Sequence, residues 1–392
     1  MGDIVENIEN KTDEIQTYEK WDMLDLKDDL LRGIYSFGFE NPSQIQKTAI
    51  KPIIDKRDVI AQAPSGTGKT GAFTVGSLQN IDISQKNTQV IILAPTHELV
   101  KQITTVVESI GSMLDGLRVK MLVGGTMVSD DIRDLCENIP HIIVGTIGRV
   151  NDMVRRDHIE MRSIKMFILD EADEMLSGGF KEQVYQMFQY LPTDTQTAIF
   201  SATMPPYMLE LTTRFMRNPV KITMEVEQLN LDGIEQYYMA VDNDDEKFIS
   251  LKSLFDKLTI NQTIIYVNSV PRVVDLYNAM IKDGYSVACI HSSMPRDERN
   301  SSFNEFKSGK FRVLISSDIT SRGIDIQQVS TVINFDIPKS VNTYLHRIGR
   351  SGRWGRKGMA INFVTRQDVG NLKHIENHYK SNIQELPSNF VM

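Results

Sequence analysis

Cysteine is nearly absent: the 392 residues hold two, Cys136 and Cys289. They lie far apart, with neither the short spacing of a metal knuckle nor that of a redox pair. A disulfide-stapled secreted scaffold and a thiolate metal centre are therefore excluded, and a reducing compartment is expected. Long apolar runs are missing too. None approaches the ~20 residues of a bilayer-spanning helix, so no membrane partner is expected. The N-terminus lacks a signal-peptide core, and Glu6 stands where a myristoylation site needs Ser or Thr. The expected location is cytoplasmic, with the nucleus left open. Positive charge is also in short supply, with 43 Lys and Arg against 51 Asp and Glu and a formal net charge of −8. An acidic chain does not hold nucleic acid by bulk attraction, so any such binding must fall to a local site.

What is present begins with residues 61–70, Ala-Gln-Ala-Pro-Ser-Gly-Thr-Gly-Lys-Thr. They follow an apolar strand and open into a helix near Lys69, the setting in which backbone amides and a helix N-terminus face a phosphate. Ala63, Pro64, Ser65, Gly66, Thr67 and Gly68 form the loop; Lys69 is placed to reach the β- and γ-phosphates and Thr70 to hold magnesium. Ala63 replaces the first glycine of the usual pattern, and its small size suffices. A hundred residues on, Asp170-Glu171-Ala172-Asp173 ends the apolar run Met166-Phe-Ile-Leu. Asp170 is expected to bind magnesium, partly through water, and Glu171 to polarise the attacking water. The other reading of this acidic string is a helix cap with an acidic first turn. Together the two strings predict binding and hydrolysis of a nucleoside triphosphate.

The length predicts two domains. Residues 1–20 read as an acidic flexible tail. From 21 to 224, β-branched runs at 58–62, 89–94, 118–123, 141–145, 165–170 and 196–201 alternate with helical patterns, as in a parallel sheet covered on both faces. Residues 225–233 read as a linker. Over 234–392 the alternation restarts, with strands expected at 262–268, 286–291, 311–316, 331–336 and 358–364. The fold class is thus α/β, with two parallel sheets, each sandwiched by helices and joined by a short linker. One local basic cluster stands out: Arg347, Arg350, Arg353, Arg356 and Lys357.

Further strings carry a resemblance. Besides the two above, they are Gly38-Phe39, Pro42 and Ile45-Gln46; Ser201-Ala202-Thr203; Arg322-Gly323-Ile324-Asp325; and His346-Arg347-Ile348-Gly349-Arg350-Ser351-Gly352-Arg353. In this order and at these intervals, from about Trp21 to the C-terminus, the chain resembles the DEAD-box ATP-dependent RNA helicases, in particular the translation initiation factor four-A branch. The resemblance implies two tandem RecA-like domains, the first an ATP-binding domain and the second a helicase domain. It implies that Gln46, with Phe39, reads adenine. Trp21, where near relatives carry Phe, would stack on the base or else anchor the tail. Arg350 and Arg353 would reach the transferring phosphoryl group as arginine fingers, and Asp325 would hold the ribose. Ser201, Thr203 and His346 would couple the domains.

The same resemblance lays an RNA track over Pro95, Thr96, Gly124, Gly125, Thr146, Gly148, Arg149, Arg299, Ser317 and Arg322. Amides, hydroxyls and arginines of this kind contact a backbone without reading bases, and 2′-hydroxyl contacts would favour RNA over DNA. Several positions depart from the family pattern: His97 for arginine, Ile147 for proline, Arg296 for glutamine, Ser316-Ser317 for a threonine pair, and Ser292-Ser293 for Gly-Asp. None belongs to phosphoryl transfer; they bear on RNA affinity. Expected cofactors are ATP and Mg2+, and the expected partners are single-stranded or short duplex RNA and a scaffold protein of the initiation type, around a monomer. The expected function is RNA-stimulated ATP hydrolysis that unwinds short duplexes. The alternative is an ATP-gated RNA clamp within a ribonucleoprotein.

Overall fold

The computed structural model describes residues 17–64, 66–177, 179–224, 234–257, 262–318, 329–351 and 358–387. The first sixteen residues of the tail, the linker 225–233, and Ser65, Arg322, Asp325 and Arg353 lie outside these.

The first half of the chain builds one parallel sheet from β1 (Val59–Gln62), β2 (Val90–Leu93), β3 (Val119–Leu122), β4 (Ile142–Gly145), β5 (Met166–Leu169), β6 (Gln196–Ser201) and β7 (Val220–Thr223). Their spatial order is β3-β4-β2-β5-β6-β1-β7. Successive side chains in a strand face opposite ways, and here both ways lead to apolar cover. Val90 and Ile92 join one buried cluster while Ile91 and Leu93 join the other. Met166 and Ile168 divide from Phe167 and Leu169 in the same manner. This is why these strands read as unbroken apolar runs rather than alternating ones.

The second half repeats the plan with β8 (Ile234–Ala240), β9 (Gln262–Tyr266), β10 (Val287–Ile290), β11 (Val313–Ser316), β12 (Val329–Asn334), β13 (Gly358–Val364) and β14 (Gln384–Glu385), ordered β10-β11-β9-β12-β13-β8-β14. Ile264 and Tyr266 pack below this sheet, and Ile265 and Val267 above it. All eleven expected strands are present, most shortened by a residue or two. Three were not expected. β7 alternates buried and exposed residues, β8 carries Glu235 and Gln236, and β14 is a two-residue edge with both residues exposed. Because every pairing is parallel, the carboxyl ends of β1, β2, β4, β5 and β6 open on one rim, and the functional strings sit there.

Candidate active site

The loop after β1 turns through Gly66 (φ 84°) and Gly68 (φ 101°) before the helix Lys69–Asn80 begins. Gly68 is needed twice over. Its backbone is left-handed, and a Cβ there would lie 2.7 Å from Ser43 Oγ and 2.8 Å from Gln46 Nε2. Gln46 is the strut on that side: Ser43 N donates to its Oε1 at 2.8 Å and its Nε2 donates to Gly68 O at 3.1 Å. The expected adenine reader is thus also a brace for the phosphate loop. Ala63 is nearly fully buried, and its N–H donates to Ser201 O at 3.0 Å. Thr67 Oγ1 donates to Pro64 O at 2.8 Å. Lys69, 5% exposed, donates from Nζ to Ala63 O at 3.0 Å and lies 3.5 Å from Glu171 Oε1. Its ammonium is held over the loop where a phosphate would enter. Thr70 occupies the first turn beside it.

Trp21 has no exposed surface; its ring lies nearly parallel to Phe39, 6.2 Å between centroids and 11° between planes. That packing has the anchor geometry. Stacking on a base would require uncovering the indole.

Asp170 leaves β5 with its N–H donating to Leu93 O at 2.9 Å, and its own Oδ1 accepts from Glu171 N at 3.1 Å. Glu171 is left-handed (φ 49°), a conformation that a β-carbon disfavours and that marks a sharp strand-to-helix elbow. A helix N-cap ordinarily has extended backbone, so this elbow is not an ordinary cap. Asp170, Glu171 and Asp173 are 2%, 4% and 2% exposed. Burial, and then the charge of Glu171, push the Asp170 carboxyl up to about 7, with Lys69 opposing. The oxygens of these three buried carboxylates are of the kind that suits magnesium.

The second half of the chain meets this set directly. Thr203 Oγ1 donates to Asp173 Oδ2 at 2.7 Å, and Asn342 Nδ2 donates to Thr203 Oγ1 at 3.3 Å. Asp173 N donates to Ser201 Oγ at 3.3 Å, and His346 Nε2 lies 3.7 Å from Asp173 Oδ2. Ser201, Thr203 and His346 therefore come together around one carboxylate. Sequence reasoning missed Asn342, and no motif marks it. Arg350 is 3% exposed, with Nε donating to His346 O at 3.2 Å.

Arg347, which belongs both to the basic cluster and to the string His346–Arg353, has a structural place. It is fully buried, with the guanidinium bonding Asp318 Oδ1 at 2.6 Å, Asp336 O at 2.8 Å and Asn268 Oδ1 at 2.8 Å, 5.2 Å over the Tyr266 ring. It fixes the helix Val341–Ile348 to the second sheet.

The sheet order β3-β4-β2 sets three of the expected RNA segments side by side. Pro95 and Thr96 follow β2, Gly124 and Gly125 follow β3, and Thr146 and Gly148 follow β4. Thr96 Oγ1 caps the helix His97–Ile110 by accepting from Leu99 N at 3.3 Å. A Cβ on Gly124 would be 3.6 Å from His97 Nε2, so His97 belongs to this surface. Ile147 is 2% exposed within the apolar cluster, which accounts for a large aliphatic residue there. Arg149 turns inward: it pairs with Asp131 and donates to Thr126 Oγ1 and O at 2.8 and 2.9 Å. Arg299 lies across the cleft, its Nε 3.0 Å from Glu98 Oε1. Ser317 follows β11, where Ser316 Oγ donates to Ile290 O at 3.0 Å.

Comparison with known proteins agrees with this arrangement. The DEAD/DEAH box helicase family profile matches residues 43–211, and the helicase conserved C-terminal domain matches 246–355. The chain is 50% identical over 369 residues to ATP-dependent RNA helicase eIF4A of Lodderomyces elongisporus, covering 94% of this chain and 92% of that one. It is 48% identical over 376 residues to eukaryotic initiation factor 4A of Caenorhabditis elegans, covering 96% and 93%. Among solved structures, Saccharomyces cerevisiae Dbp5 bound to RNA and ADP BeF3 superposes with a TM-score of 0.87 at 34% identity, over 95% of this chain and 96% of that one. With two tandem RecA-like sheets and this cleft between them, the chain belongs to the DEAD/DEAH box helicase family.

Proposed function

We infer that this chain is an eIF4A-type ATP-dependent RNA helicase, an enzyme that hydrolyses ATP and binds RNA. The observation that carries this reading is 50% identity over 94% of the chain to an eIF4A helicase. The meeting of groups from both halves around Asp173 supports it. In the finer reading, the domains run 21–224 and 234–392, and the lobes close on ATP and RNA together. Binding of one ligand then favours the other. Lys69 and the loop amides bind the phosphates, Thr70 and Asp170 take Mg2+, and Glu171 orients water. Arg350 and Arg353 meet the developing charge, and Asp325 meets the ribose. RNA runs over the rims of β2, β3 and β4 and across to Arg299, Ser317 and Arg322. The setting we propose is translation initiation in the cytoplasm, as a monomer working with a scaffold protein. No described helix is long and apolar enough to cross a membrane. No observation favours the clamp alternative.

The test is steady-state ATPase with single-stranded RNA, with a matched DNA strand and with neither. Strong stimulation by RNA alone supports the reading; equal rates in all three reject it. Glu171→Gln should bind ATP and RNA while losing at least about a hundredfold in kcat, the scale of a positioned general base. Normal turnover in that variant would remove Glu171 from the chemistry.

A further inference from the structure

The helix Val369–Tyr379 buries Leu372, Ile375 and Tyr379 against the second sheet. Its other side faces solvent and carries His374 and His378, both exposed. Four residues apart, they stand one turn above the other on a single face. Their ring centroids are 6.5 Å apart, with planes tilted by 46°. His378 is set edge-on to Tyr379 at 4.8 Å, so one ring of the pair leans on a buried neighbour.

We propose that His374 and His378 form a two-nitrogen binding site for a divalent transition-metal ion such as Zn2+ or Ni2+, with water completing its shell. Two histidines at this spacing on a helix present both imidazoles to one ion. Imidazole suits Zn2+, Ni2+ and Cu2+, whereas Mg2+ and Ca2+ require oxygen donors. The site is therefore chemically separate from the magnesium site of the cleft. It is built for binding and not for hydrolysis: Glu376, the nearest carboxylate in sequence, turns away and accepts from Ile383 N at 3.0 Å. The ion would staple the last turn of a helix whose Tyr379 hydroxyl donates to Val341 O at 2.8 Å, at the start of the helix carrying His346.

Two other groups could take such an ion and must be separated from this one. Glu171, Asp173 and His346 have donor atoms within 4.8 Å of one another inside the cleft. Cys136 Sγ lies 4.0 Å from His158 Nδ1.

The experiment is titration of ZnCl2, and separately NiCl2, into the metal-free and nucleotide-free full chain, followed by calorimetry and by Tm. His374→Gln and His378→Gln should each weaken binding by at least about tenfold and abolish the metal-dependent rise in Tm. Cys136→Ser should leave both readouts at the wild-type values. Because both histidines are exposed, the metal-free Tm and the magnesium ATPase of the two variants should match wild type. Undiminished Zn2+ binding in both histidine variants overturns the proposal, as does its loss in Cys136→Ser.

Discussion

Asp170 shows how burial makes one carboxylate sensitive to pH near neutrality. Its folded pKa, about 7, stands above the ordinary carboxylate value of 3.8. Between these two values the folded state keeps a proton that the unfolded chain has lost, so the carboxylate's contribution to stability falls as pH rises from about 4 to 7. Above pH 7 the full penalty is present. Asp170→Asn, which carries no charge, should therefore stabilise the nucleotide-free and magnesium-free protein at pH 8, by on the order of 1–4 kcal/mol, and by less at pH 6. Differential scanning calorimetry at the two pH values checks this; an equal gain at both would mean that the carboxyl titrates normally. The same proton predicts that magnesium nucleotide binding near pH 7 releases protons, read as a dependence of the calorimetric heat on buffer ionisation.

At the scale of elements, the joints between strand and helix decide whether the site exists. Gly68→Ala forces a side chain into the left-handed turn and against Ser43 and Gln46. It should cost about 1–3 kcal/mol and raise the Kd for ATP at least tenfold. Arg149 supports a different joint. Its guanidinium is closed around Asp131 and Thr126, with side chains 8% and 5% exposed for the ion pair. Arg149→Ala should cost about 1–3 kcal/mol in urea unfolding, less than a fully orphaned buried carboxylate would, because Lys120 Nζ still lies 3.3 Å from Asp131 Oδ1. A residue that only touched RNA would leave the unfolding midpoint in place.

These joints also mark where sequence reading stops. Lys69, Asp170 and the rims were legible, because short apolar runs bounded by glycine or acidic residues admit few folds. The inward turn of Arg149 and the burial of Arg347 were not, since nothing local distinguishes an arginine bound for solvent from one bound for Asp318 or Asp131. The positive φ of Glu171 was invisible for the same reason: strain is imposed by tertiary packing. β7 and β14 escaped because edge strands, wetted on one side, carry polar residues that blur the pattern, and β8, paired on one flank only by the two residues of β14, carries Glu235 and Gln236 and is blurred in the same way.

For the whole molecule the open question is what brings the lobes together before RNA arrives. Among the described residues, Glu98 and Arg299 form an ion pair from opposite sides of the cleft, at 3.0 Å and 16% and 14% exposed. An exposed pair contributes about 0–1 kcal/mol, while one partly withdrawn from water is screened less. This contact should therefore favour the closed arrangement by about 1 kcal/mol, roughly a fivefold change in the closed-to-open ratio. Glu98→Gln should lower the closed-to-open ratio by that factor, read by fluorescence energy transfer between dyes on the two lobes without RNA. High salt should produce part of the same effect in the wild type and little in the variant. The reversed pair, Glu98→Arg with Arg299→Glu, should recover closure while weakening RNA binding, because a carboxylate would then replace the guanidinium beside the expected path of the phosphates. If the reversed pair closes no better than either single variant, closure does not depend on this ion pair and rests on other contacts such as those of Asn342 and His346 with Thr203 and Asp173.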